Sequence, residues 1–117
     1  MTPASAKQKG RLAQQHVAKR ICETFSLLEC DVKSLPMGSQ GADVWLSSEA
    51  LRKFPFAIEV KKQEKLNVHE AFLQAIEHWK KVGDEYGPEI YPLLVHSKNR
   101  SEVLATLRLD DLLKLLL

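Results

Sequence analysis

The chain is predicted to fold as an α/β domain, a mixed central sheet flanked by helices, on three observations. A long amphipathic stretch opens the sequence, short apolar runs broken by turn residues follow it, and a second amphipathic stretch leads into a further apolar run. The implied order is helix, three strands, helix, strand, then a strand and a terminal helix.

Thr2 followed by Pro3 marks a helix start, because threonine caps orphan N–H groups and proline suits the first turn. Ala13, Val17, Ile21, Phe25 and Leu28 then recur at three- and four-residue steps, with Lys19, Arg20 and Glu23 off that stripe. Residues 30–33 alternate weakly and suit a short strand, and 35–41 carry Pro, two Gly and Ser, the marks of a turn. Residues 42–46 read as a strand, 47–54 as a polar connection with room for a helical turn, and 56–60 as a strand entered through Pro55. An antiparallel hairpin or meander is expected from these pieces. Asn67 is a suitable cap for a helix over 68–82, with Val68, Phe72, Ala75, Ile76 and Trp79 on one face and Gly83 and the Gly87-Pro88 pair to end it. Residues 90–95 suit a buried strand, 103–109 another, and 110–117 a leucine-rich helix. Its apolar end must pack on this domain or on a partner chain.

With 117 residues and 13.3 kDa, the chain has room for one core, so residues 1–117 are read as a single domain. A composition of 44% hydrophobic and 27% charged residues is that of an ordinary globular protein. No apolar run approaches the roughly 18 residues that cross a bilayer, and residues 1–20 are polar and basic, without a signal-peptide core. A soluble, cytoplasmic protein without a membrane partner is expected. Cys22 and Cys30 are too few for a disulfide framework. A zinc site from His16, Cys22 and Cys30 matches no ligand spacing, and Cys22 falls on the first apolar stripe, so free structural thiols are expected.

A net charge of +2 is below the strongly basic signature of a dedicated nucleic-acid binder. Its distribution is uneven. Lys7, Lys9, Arg11, Lys19 and Arg20 load the first segment, and Lys61, Lys62 and Lys65 form a second cluster. Such clusters neutralise phosphates or simply keep a face solvated, and for the first segment both readings stand.

In a strand, residues two apart share a face, so Glu59 and Lys61 project together while Ile58 and Val60 face the core. Asp43 lies on the preceding strand, with fifteen residues separating it from Glu59, and hairpin pairing would join the two carboxylates. Paired carboxylates suit a hard divalent cation such as Mg²⁺, which neutralises phosphate charge and lowers the pKa of water, while a neighbouring lysine holds the nucleophile or a phosphate oxygen. The plainer alternative is an exposed Glu59–Lys61 ion pair worth roughly 0–1 kcal/mol, with Asp43 unrelated. What favours the chemical reading is the succession of a Gly-rich turn, Asp43, a spacer, an apolar strand ending in Glu-Val-Lys, and a helix.

Together the segments KGRLAQQ (9–15), MGSQGAD (37–43), FAIEVKKQEKL (56–66) and PLLVHSKNR (92–100) resemble the PD-(D/E)xK nuclease superfamily. Within it the chain is similar to archaeal-type Holliday-junction resolvases and small phage-encoded endonucleases. The resemblance implies a restriction-endonuclease-like αβββαβ core and a Mg²⁺-dependent endodeoxyribonuclease, with Mn²⁺ as substitute, acting on DNA that includes branched or Holliday-junction forms. It implies Asp43, Glu59 and the Val60 carbonyl as metal ligands, Lys61 as the catalytic lysine and Ser39 as a contact to the scissile region. A two-fold homodimer is also implied, with Trp45, Trp79 and the leucine-rich end as candidate contact surfaces. Lys9, Arg11, Lys62, Lys65, Lys98 and Arg100 are the expected contacts to the DNA backbone. One departure matters: where those enzymes carry a glutamate on the first helix, after a pair like Lys9-Gly10, this chain has Gln14, which accepts hydrogen bonds but brings no charge. That puts a second metal in doubt and keeps open a catalytically weak, nuclease-like module that binds nucleic acid or protein. Gln74 is read as a surface residue. His16, near Arg20, is read as solvated, and His69, His78 and His96 have no metal-ligand spacing and are given no role.

Overall fold

The computed structural model describes residues 3–36, 42–87 and 89–117. Its elements are α1 (Pro3–Thr24), β1 (Val32–Ser34), β2 (Val44–Leu46), α2 (Ser48–Lys53), β3 (Phe56–Lys62), α3 (Val68–Tyr86), β4 (Tyr91–Ser97), β5 (Leu104–Thr106) and α4 (Leu109–Leu116). The expected succession is present, with differences that have physical causes. Helix α1 stops at Thr24, and Ser26 takes a left-handed φ of 53°, so Leu28 leaves the apolar stripe and is exposed. The connection after β2 folds into a full helix because Ser47 caps it, its Oγ accepting from the Ala50 N–H at 3.1 Å and donating to Asp31 at 2.7 Å. Helix α3 is capped by Asn67 as expected but runs through Gly83, since buried Val82 holds the last turns to the core. It ends at Gly87, whose φ of 96° only glycine adopts readily.

The five strands form one sheet in the order β1-β2-β3-β4-β5. The first three make the expected antiparallel meander, β3 and β4 are parallel in register from Phe56↔Tyr91 to Lys62↔Ser97, and β5 returns antiparallel to β4. Helix α3 is the crossover that a parallel pair requires. Val17, Ala18 and Ile21 of α1 pack with Ile58, Val60, Leu93 and Val95 on one face. On the other face Ala71 and Ala75 of α3 pack with Leu94, and Val82 with Ala57. Strand β3 is thus covered on both sides, and Phe56 to Val60 are all buried. The face that carries Glu59 is no open edge: α3 lies over it. Among the described residues no helix is long and apolar enough to cross a membrane.

Candidate active site

Strand β2 touches β3 only briefly. Val44 is paired with Ile58, the Asp43 N–H donates to the Ile58 carbonyl at 2.8 Å, and there the two strands part. Asp43 stands in the fork, its Oδ2 accepting the Val60 N–H at 2.8 Å. Because peptide groups alternate along a strand, the Val60 carbonyl is directed to the same side as its N–H, towards Asp43 and not towards β4.

Glu59 projects from the opposite pleat of β3 under α3 and is only 4% exposed. Its Oε2 is hydrogen-bonded to Nδ1 of His78 on α3, and Lys61 Nζ lies 3.8 Å from its Oε1 with the lysine side chain partly exposed. With Glu59 ionised, Nδ1 of the imidazole is the donor. Gln14, buried on α1, accepts from Ser34 Oγ at 3.4 Å and its amide favours the ionised form of Asp43. One cluster therefore draws Gln14 from α1, Ser34 from β1, Asp43 from the start of β2, Glu59, Val60 and Lys61 from β3, and His78 from α3. The plain picture of an exposed Glu59–Lys61 pair does not hold, since Glu59 is buried.

Burial pushes both acids above the ordinary carboxylate range. For Asp43 that rise is opposed first by the Val60 N–H, then by His78, Lys61 and Gln14. For Glu59 the negative charge of Asp43 adds to the rise, against His78 and Lys61. At neither acid do the nearby donors and the amine offset the effect of burial. Two such oxygens sets beside a backbone carbonyl form a donor group suited to a hard cation, Mg²⁺ or Mn²⁺. Among the described residues no group of three or more His, Cys, Asp or Glu side chains is placed to hold a metal ion. The zinc alternative has no support: Cys22 is half-buried with Sγ donating to the Leu27 carbonyl at 3.0 Å, and Cys30 is exposed.

The cations divide. Lys9 and Lys62 line a groove of about 240 Å³ with Asn99, and Lys9 Nζ donates to Asn99 Oδ1 at 3.4 Å. Lys98 and Arg100 flank Asn99 in the exposed turn after β4. These four sit at the C-terminal end of the parallel pair β3–β4, the end that carries Lys61. Arg11 and Lys65 are exposed but line no part of that groove. Ser39 lies outside the described residues. Gln74 and His69 are exposed, and His96 Nε2 is 2.9 Å from Thr106 Oγ1 on β5. Trp79 is not a free contact surface: its Nε1 donates to the Ile90 carbonyl and its ring lies 4.7 Å from the Arg108 guanidinium carbon. Trp45 has Lys33 Nζ 5.6 Å from its ring.

No protein family, curated protein or solved structure matches this chain.

The stripe read from the sequence does face the core, with Ala75 buried and Val68, Phe72 and Trp79 packed against it, but sequence reasoning missed His78 because it left out the adjoining line of the same face. The residues of α3 that meet the sheet include Ala71, Ala75 and Val82, and three- and four-residue steps along that line run through His78. A histidine on a buried stripe needs a polar partner. That signal was available in the sequence, while the identity of the partner was not.

Proposed function

We propose that this protein is a metal-dependent nuclease of the PD-(D/E)xK kind that hydrolyses phosphodiester bonds in DNA. The observation that carries the proposal is the fork between β2 and β3, where Asp43 and Glu59 share a site in which burial disfavours the charge of both, with Lys61 beside them. The element order supports it as well. A helix, a three-stranded antiparallel meander, a crossover helix and a parallel fourth strand is the order of a restriction-endonuclease-like core, with α2 inserted and β5 and α4 appended.

Asp43, Glu59 and the Val60 carbonyl would hold Mg²⁺ or Mn²⁺, and a cation bound there supplies neutralisation of phosphate charge and acidifies water. The remaining work falls to side chains. His78 and Gln14 fix the two carboxylates so that they need no reorganisation. Lys61, partly open to solvent, orients the attacking water or takes up charge on an equatorial phosphate oxygen. Lys9 and Lys62, with Lys98 and Arg100 beyond them, steady the backbone of the bound strand. Branched DNA, the four-way junction included, is the proposed substrate form.

The test is cleavage of end-labelled linear duplex, flap and four-way-junction DNA in Mg²⁺ or Mn²⁺. The wild-type chain is expected to nick branched substrates, with no product in chelator and none from Asp43→Ala or Lys61→Ala. Cleavage that survives both substitutions would refute the assignment. A second reading, a nuclease-like module that binds without cutting, is favoured by Gln14, a neutral amide held between Asp43 and Ser34 where a further carboxylate is expected. It predicts metal-independent DNA binding with no product in any of these assays.

A further inference from the structure

A slot of about 130 Å³ lies between α1 and the sheet, at the C-terminal ends of β3 and β4 and on the opposite face from Glu59. Val60 and Val95, both buried, are its floor, and Ala13 of α1 and Val103 of the segment entering β5 wall it. Val103 is 48% exposed, so the slot opens to solvent there. Three polar side chains, His16, Lys62 and Ser97, join this apolar lining, and among the described residues no hydrogen bond or ion pair ties up any of them. An apolar concavity with a few convergent polar groups is the usual form of a small-ligand site.

The size of the slot and its neighbourhood select the occupant. An apolar cavity of about 150 Å³ takes one benzene ring, so a six-membered ring fills this one and a fused bicycle would project from it. Lys62 also lines the adjoining groove with Lys9 and Asn99, which sets two cations beside whatever ring the slot holds. A planar six-membered ring joined to an anion describes a pyrimidine nucleotide. We infer that the slot receives an unpaired pyrimidine base of the bound DNA strand, with the adjoining phosphate between Lys62 and Lys9. The valines suit the faces of the ring and the thymine methyl, and the Ser97 hydroxyl and the His16 imidazole exchange hydrogen bonds with its carbonyl and N–H groups. In a duplex those edges are paired and those faces stacked, so only a base outside the helix enters. The inference rests on the reading of the protein as acting on DNA, and adds the kind of strand it selects: one with an unpaired pyrimidine, such as a flap supplies.

Fluorescence anisotropy in chelator, where nothing is cut, tests it with three labelled single strands of equal length: all-thymine, all-adenine and abasic. Equal length means equal phosphate charge, so differences among them read the base. The thymine strand is expected to bind about tenfold more tightly than the abasic one, the scale of seating one base against a protein, and more tightly than the adenine strand. Ala13→Leu and Val103→Met fill the slot from opposite sides with aliphatic chains, which offer no face for stacking. With circular dichroism unchanged, each should bring the thymine strand down to the abasic level. Lys62→Ala should weaken all three strands. A four-way junction as a further ligand separates two kinds of failure. A chain that binds the junction but shows no thymine preference, or whose preference survives both filling variants, overturns the slot and leaves the nuclease reading standing. A chain that binds neither the junction nor any strand overturns both.

Discussion

Among the described residues two carboxylates are almost wholly buried, Asp111 at the base of α4 and Glu59 in the middle of β3, and they are buried on opposite terms. Asp111 has one guanidinium to itself, bound through two nitrogens, with the indole of Trp79 beneath it. That is a closed arrangement: one negative charge, one positive charge and a fixed geometry. Glu59 shares its surroundings with a second acid, and its imidazole and amine partners do not offset burial and the charge of Asp43. Burial alone therefore does not distinguish a structural acid from a functional one. What separates the two is the company each keeps: Asp111 has a guanidinium of its own, whereas Glu59 lies beside a second acid, and the proposed metal site rests on that difference.

Substitutions sharpen that contrast in descending order of effect. Removing Asp43 or Lys61 as alanine should lower DNA cleavage by about 10³-fold, the scale of losing a group that meets charge in the transition state. His78→Ala removes the residue that fixes Glu59 and should lower cleavage by about 10- to 100-fold, the scale typical of outer partners of metal ligands, with a much smaller change in melting temperature. Arg108→Ala leaves Asp111 buried without its partner. It should cost about 2 kcal/mol of stability, reduced from the range for fully buried pairs because Arg108 is partly exposed, and leave cleavage per folded molecule unchanged. Thermal unfolding of the variant and exchange of the α4 amides would register that loss. If Arg108→Ala silences cleavage while His78→Ala spares it, the contrast is inverted.

The smallest effect has the opposite sign. Asp43 holds its proton better in the folded chain than in the unfolded one, since burial pushes its carboxyl above the ordinary value of 3.8. Below that value the acid is protonated in both states and costs nothing. As the pH rises through the raised folded value, the folded state must give up a proton it retains preferentially, and stability is lost. Asp43→Asn, which keeps an oxygen to accept the Val60 N–H, should therefore melt slightly above wild type at neutral pH in chelator. The gap should close as the pH falls below the ordinary aspartate range. Melting curves for the two proteins across that range check the sign.

Much of this was legible in the sequence, because it rested on local periodicity. Alternation along 56–60 put Glu59 and Lys61 on one face, the strand expected over 42–46 carried Asp43 although β2 begins one residue after it, and Asn67 marked the start of α3. What was not legible depended on which faces of the sheet are covered. Alternation shows that Glu59 and Ile58 part company, but not that α3 buries Glu59 as α1 buries Ile58, so an exposed ion pair seemed open until the second layer was in view. His78 meets Glu59 from a different element, nineteen residues on, and no local rule links the two. Helix α4 was legible as a leucine-rich helix, but not that Arg108 would hold its Asp111 buried.

Calorimetric titration of Mn²⁺ into the metal-free chain tests the central claim most directly, because it reads the acid pair without reference to any substrate. The account predicts saturable binding to the wild type, weakened at least tenfold by Asp43→Asn and unaffected by Arg108→Ala. Wild-type binding that Asp43→Asn leaves intact, or no binding at millimolar Mn²⁺, would contradict it.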